Sequence, residues 1–165
     1  MSQHHTTIEW QRAAHPTEAE TFSRNHVATL NGGQKVTVSA SAEYKGDPDA
    51  SDPEQLLLTA LASCHMLTFL AIADLKGFRV ERYRDTPVAH LEKNAEGRMA
   101  VTRMALSPQV SFAGDRQPDD GDLAKLHAAA HRNCFIANSI SAKVTVTPVA
   151  AAATAGTTAC ATSSP

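Results

Sequence analysis

The run from Leu56 to Ala73 contains no Asp, Glu, Lys or Arg. Signals at both ends mark it as one long helix. Asp52 suits the N-cap, where its carboxylate accepts from orphan backbone N–H groups. Pro53 fits the first helical position, which needs no N–H, and Glu54 places an anion in the first turn. Lys76 and Gly77 are the matching stop. The polar residues inside the run, Thr59, Ser63, His65 and Thr68, are spread around the helix rather than gathered on one face. A helix apolar on every side must be covered on every side. About 24 helical residues span roughly 36 Å, close to the diameter of a small domain, and one small subunit can hardly wrap that length. The expectation is a central helix covered by sheet and by a second subunit. The run approaches the ~20 residues of a membrane span, but its many Ala, Ser and Thr residues, and Asp74 directly after it, favour a core helix and no membrane.

The rest of the chain sets the context of that helix. Its 165 residues suit one domain, and 42% hydrophobic content supplies a core. A net charge of -2 points to neither nucleic acid nor an anionic membrane. Met1 to His5 lack the apolar segment of a signal peptide. Three cysteines, Cys64, Cys134 and Cys160, are an odd number at wide spacings. That describes a cytoplasmic chain with functional or incidental thiols rather than a disulfide framework.

Before the helix, Ile8 and Trp10 alternate with polar neighbours as in a short strand. Val27–Leu30, Asn31-Gly32-Gly33 and Lys35–Ser39 form a hairpin signature, and Tyr44–Asp49 is a loop. After Gly77, strands around Phe78–Tyr83, Val88–Leu91 and Met99–Phe112 are expected to form a three-stranded meander, with Pro108 at an edge or bulge. A second helix should start near Asp120 or Asp122. It would place Leu123, Leu126, Ala130 and Cys134 on one stripe. Lys143–Thr147 closes the domain as a strand. From residue 149 on, the chain is rich in Ala and Thr and is expected to be a disordered tail with Cys160 incidental. Strands grouped on either side of a helix imply an α+β domain over residues 1–148 with antiparallel sheets.

Cys64 and Cys134 are the residues that invite chemistry. Each falls on a helix face toward the core, and only the fold can bring them together. Helices packed 8–10 Å apart can place inward cysteines within disulfide reach. Spacing alone favours two unrelated buried cysteines over a redox pair.

Local sequence weighs on this choice. Asp52-Pro53-Glu54-Gln55-Leu56-Leu57, the ten-residue step from Glu54 to Cys64, and Cys64-His65-Met66-Leu67-Thr68-Phe69-Leu70 resemble the OsmC/Ohr family of thiol peroxidases. Ala130 to Ser139 is similar to that family's second cysteine motif, although Phe135 stands where a proline commonly follows the cysteine. The likeness covers roughly Thr7 to Pro148 and is nearest to the OsmC-like branch. It implies antiparallel sheets wrapped around two long central helices of an intertwined homodimer. It also implies a peroxidatic thiolate at Cys64, a resolving thiol at Cys134, a role for Glu54, and an arginine from the N-terminal sheet. Arg24 is the candidate arginine and Arg12 the alternative. The implied substrate is a small organic hydroperoxide. No cofactor or metal is implied, only an external dithiol reductant, for which the resemblance suggests a dihydrolipoyl-type donor.

The residue types suit that chemistry. A thiolate attacks a peroxide oxygen, and the sulfenic acid it becomes condenses with a second thiol. A mid-helix cysteine in apolar surroundings has a raised pKa, which a cation paired with Glu54 would offset. On an unbroken helix Glu54 lies about 15 Å along the axis from Cys64, so either the helix bends or Glu54 serves a second subunit. His65 points about 100° away from Cys64 and reads as a hydrogen-bonded core histidine. His131, one turn before Cys134, could neighbour either thiol. The histidines and thiols lack a close-spaced ligand pair for zinc. Two other functions compete: a cysteine acyl-transfer enzyme with His131 as base, and a non-enzymatic dimeric module that binds an apolar ligand.

Overall fold

The computed structural model describes residues 1–149 of the chain, so the expected tail lies, from residue 150 on, outside the described residues. The elements run β1 (Thr7–Glu9), β2 (His26–Thr29), β3 (Lys35–Val38), α1 (Pro53–Leu75), β4 (Arg79–Arg84), β5 (Val88–Lys93), β6 (Met99–Leu106), β7 (Gln109–Ala113), α2 (Asp120–Asn133) and β8 (Lys143–Val146). The class is α+β, as expected.

α1 begins and ends where its signals lie. The Asp52 carboxylate accepts from Gln55 N–H at 2.7 Å, and the Gln55 side chain accepts from Asp52 N–H at 3.2 Å. This capping box satisfies two orphan donors reciprocally, and the Asp52 cap contributes about 1 kcal/mol. Gly77 ends the helix at φ 74°, a conformation that a side chain would oppose. The approach to α1 is equally constrained. A Cβ on Gly46 would overlap the carbonyl of Ala40, so the loop closes only over a glycine.

The sheets depart from the expected meander. β5 and β6 do form an antiparallel hairpin, but β4 crosses over to pair with β7. β8 lies parallel to β6, so not every pairing is antiparallel. Parallel neighbours need a crossover connection, and here β7 and α2 supply it. Pro108 sits in the two-residue corner between β6 and β7 rather than within a strand, and its carbonyl accepts from Val149 N–H at 2.9 Å. β1, β2 and β3 form a separate antiparallel sheet that touches the helices of its own chain only marginally.

One chain buries a single stripe of α1: Leu61, His65, Phe69 and Ala73. Phe69 and Ala73 pack with Leu126 and Ala130 of α2 and with Phe78. Leu61 packs with Met104, Leu106 and Cys134. The opposite stripe, which includes Leu56, Ala60, Ser63, Leu67 and Ala71, is uncovered, with Leu67 60% exposed. Cover on every side, expected from the helix's composition, is therefore not achieved within one chain.

Candidate active site

The two cysteines of interest meet at the end of α2. Cys134 is the C-cap rather than part of the helix, a correction of one position, and it is fully buried. Beyond it the chain turns tightly. Asn138 N–H donates to the Cys134 carbonyl at 3.1 Å, and Ala137 N–H donates to Cys134 Sγ at 3.4 Å. Cys64 flanks the buried stripe of α1 and is half-buried, next to the uncovered stripe. Around its sulfur lie the Cys134 thiol, the backbone N–H groups of Ile136 and Phe135 and the Thr68 side chain, each of which favours its charged form. Thr68 Oγ1 also donates to the Cys64 carbonyl one turn back, at 2.8 Å.

These contacts separate the two thiols electrostatically. Burial pushes Cys64 up. The donors from Cys134, Ile136, Phe135 and Thr68 outweigh it, so the thiol titrates below its ordinary value. Burial pushes Cys134 up too, and its bond to Cys64 raises it further, against the Ala137 and Ile136 N–H groups. Donors aimed at the charged form favour that form. A turn of successive N–H groups is a recurrent anion cradle. Of the two, Cys64 is the thiol that ionises more readily and Cys134 the one that holds its proton more firmly. Phe135, Ile136 and Thr68 were not singled out from the sequence. Thr68 could have been, since it lies four residues after Cys64 on a helix. The two amides carry no side-chain signal at all.

Neither Arg24, Arg12 nor Glu54 is among the groups that hold Cys64 within the chain. Arg24 Nη1 donates to the Phe22 carbonyl at 2.9 Å, and its guanidinium lies 4.9 Å from the centre of the Phe22 ring. Arg12 lies 5.8 Å from the same ring, so both candidates gather at one aromatic on the N-terminal segment. Glu54 sits in the first turn of α1, which runs unbroken to Leu75. Within one chain it stays about 15 Å along the axis from Cys64.

His65 is a buried core histidine, as expected. Its Nε2 shares a hydrogen bond of 3.1 Å with His127 Nδ1, the two rings are parallel, and His127 also stacks on Phe69. Among the described residues no hydrogen bond joins His131 to either thiol; its Nδ1 is buried without a partner. Burial, and then the charge of His131, push His65 down to about 4; burial, and then His65, do the same to His127. An unfolded histidine titrates near 6.5. Below that value the unfolded chain takes up protons that the folded chain refuses. Stability should therefore fall as pH drops from about 6.5 to about 4 and be insensitive to this pair above pH 7. Urea midpoints across this window should decline more steeply for the native chain than for a His65→Gln, His127→Gln double variant. Equal slopes would contradict the assignment.

The profile of the OsmC-like protein family matches residues 46–149, and the chain belongs to that family. It is 39% identical to an OsmC-like protein of unknown function from Vibrio cholerae. That structure superimposes with a TM-score of 0.84 over 90% of this chain and 100% of the other. It is 29% identical over 131 residues to the uncharacterized protein YmaD of Bacillus subtilis, which covers 74% of this chain and 82% of YmaD. The organic hydroperoxide resistance protein OhrB of Bacillus subtilis shares the fold, with a TM-score of 0.63 at 16% identity over 90% of this chain and 98% of OhrB.

Proposed function

We propose that the protein is a thiol peroxidase that reduces small organic hydroperoxides in oxidative stress defence. The observation that carries this reading is that the fold packs Cys64 of α1 against the cluster that holds the buried Cys134, with Cys64 lowered and Cys134 raised. The Cys64 thiolate attacks one peroxide oxygen and the O–O bond breaks. The other oxygen leaves as an alkoxide, takes up a proton and becomes the alcohol. Cys64 is then a sulfenic acid. The Cys134 sulfur displaces its oxygen as water, giving a Cys64–Cys134 disulfide. An external dithiol of dihydrolipoyl type reduces that disulfide and is itself oxidised. These steps call for no metal or cofactor, and the proposed site of action is the cytoplasm.

The reading extends to a homodimer with composite sites. The uncovered stripe of α1 is the surface a second α1 would cover. Ile8, Trp10 and Phe22 of the N-terminal segment are exposed in one chain, and a partner's core would bury them. Glu54, and Arg24 or Arg12, then reach the Cys64 of the other subunit, where the cation supports the thiolate that the turn amides already favour.

One equivalent of an organic hydroperoxide added to the reduced protein, followed by thiol trapping and peptide mass spectrometry, tests the chemistry. A Cys64–Cys134 disulfide is the expected product. Both thiols recovered in alkylated form, with the peroxide unconsumed, would overturn the reading.

A further inference from the structure

The turn after Cys134 sends its next two side chains in opposite directions. Ile136 packs on the cluster of Leu61, Met104, Leu106 and Cys134. Phe135 goes outward and is 82% exposed, a rare place for so large an apolar group beside a reactive centre. The turn holds it there. Ser139 Oγ donates to the Phe135 carbonyl at 2.7 Å, and Ser139 N–H donates to the Ile136 carbonyl at 2.9 Å. The Phe135 amide lies at the Cys64 sulfur, and only two covalent bonds separate that amide from the Cβ that carries the ring. The ring therefore enters solvent close to the reacting atom. Trp10 and Phe22, also exposed, lie against each other with ring centres 5.7 Å apart. Phe135 meets no aromatic ring among the described residues.

The direction of attack says what such a ring can meet. A thiolate displaces the far oxygen of the O–O bond in line, so the organic group leaves on the side away from the sulfur. Inward of Cys64 there is no room for it: Leu61, Met104, Leu106 and Cys134 pack there, each at most 1% exposed. The organic group therefore lies outward, where Phe135 presents its ring. Apolar surface covered there is removed from water in the transition state as well as in the encounter. An aryl group gains more than its area, because two aromatic rings prefer offset or edge-to-face contact.

We propose that Phe135 is a specificity-determining residue that selects hydroperoxides carrying an aryl group next to the O–O bond over compact alkyl ones. This rests on the peroxidase reading and names its preferred substrate class. Cumene hydroperoxide and tert-butyl hydroperoxide are suitable probes, since they differ only by a phenyl in place of a methyl group. Rate constants for loss of the Cys64 thiol in the reduced full-length protein, from quenched alkylation and mass spectrometry, give the preference, with free cysteine as the chemical reference. The native protein should favour the cumyl compound about tenfold more than free cysteine does. Tenfold is about 1.4 kcal/mol, or roughly 60 Å² of apolar surface covered, well within what a phenylalanine ring offers. Phe135→Ala should bring the ratio to that of free cysteine, and Phe135→Trp should keep it. A native ratio equal to that of free cysteine, with Cys64 oxidised by both compounds, overturns this proposal alone. So does an equal loss of rate for both compounds in Phe135→Ala, or a change in its oligomeric state, which would give the ring to the fold or to an interface. Failure of either compound to oxidise Cys64 in the native protein would instead refute the peroxidase reading and this proposal with it.

Discussion

Replacing Cys64 with serine should reduce hydroperoxide consumption to the uncatalysed background, because the serine hydroxyl is not ionised at neutral pH and the four donors around Cys64 then have no thiolate to stabilise. Cys134→Ser should behave differently. Its Cys64 still attacks once, so a stoichiometric burst of alcohol is expected, followed by arrest. The sulfenic acid then has no thiol within reach and should advance to sulfinic acid under excess peroxide. Consumption of peroxide measured with dithiol stoichiometric to the peroxide, together with intact mass after exposure to excess peroxide and reduction of disulfides, distinguishes the two variants. The native protein turns over at its starting mass, Cys134→Ser gains two oxygens, and Cys64→Ser gains none. Full turnover by Cys64→Ser would remove this cysteine from the chemistry and leave the contrasting titration of the two thiols without a catalytic meaning.

The second large effect concerns assembly. A homodimer formed through the free stripe of α1 and the N-terminal sheet should bury roughly 2,000 Å² or more, the range of obligate interfaces. Folding and association are then one equilibrium, so the melting temperature should climb with protein concentration. A tenfold rise in concentration is worth about 1.4 kcal/mol, or a few degrees for a protein of this size. Leu67→Glu, placed in the middle of the uncovered stripe, should abolish the dimer. Mixed subunits probe the shared site itself. A heterodimer of Glu54→Ala and Cys64→Ser chains should regain one working site if Glu54 acts across the interface, since one Cys64 then meets an intact Glu54. If Glu54 acted within its own chain, both sites would stay defective. A stable folded monomer at micromolar concentration would refute the dimer and the shared site together.

Much of this molecule is written in local sequence. The position of α1 follows from Asp52, Pro53 and Gly77, because caps and stops act within one helical turn. The hairpin at Gly32-Gly33, the start of α2 and the burial of His65 are equally local, fixed by backbone preference and by the 3.6-residue period. The pairing of strands was not legible. β4, β5, β6 and β7 all have strand character, yet nothing in their alternation says that β4 would pair with β7 or that β8 would lie parallel to β6. Those partners are chosen by which apolar faces can cover α1 and α2 together, a long-range condition that no short window contains. The active pair shows the same division. Composition and motif single out Cys64 and Cys134, and a long apolar helix in a small chain already calls for a second subunit. Their unequal titration depends on the backbone amides of Phe135 and Ile136, which every residue but proline possesses and which acquire a direction only when the chain turns after α2.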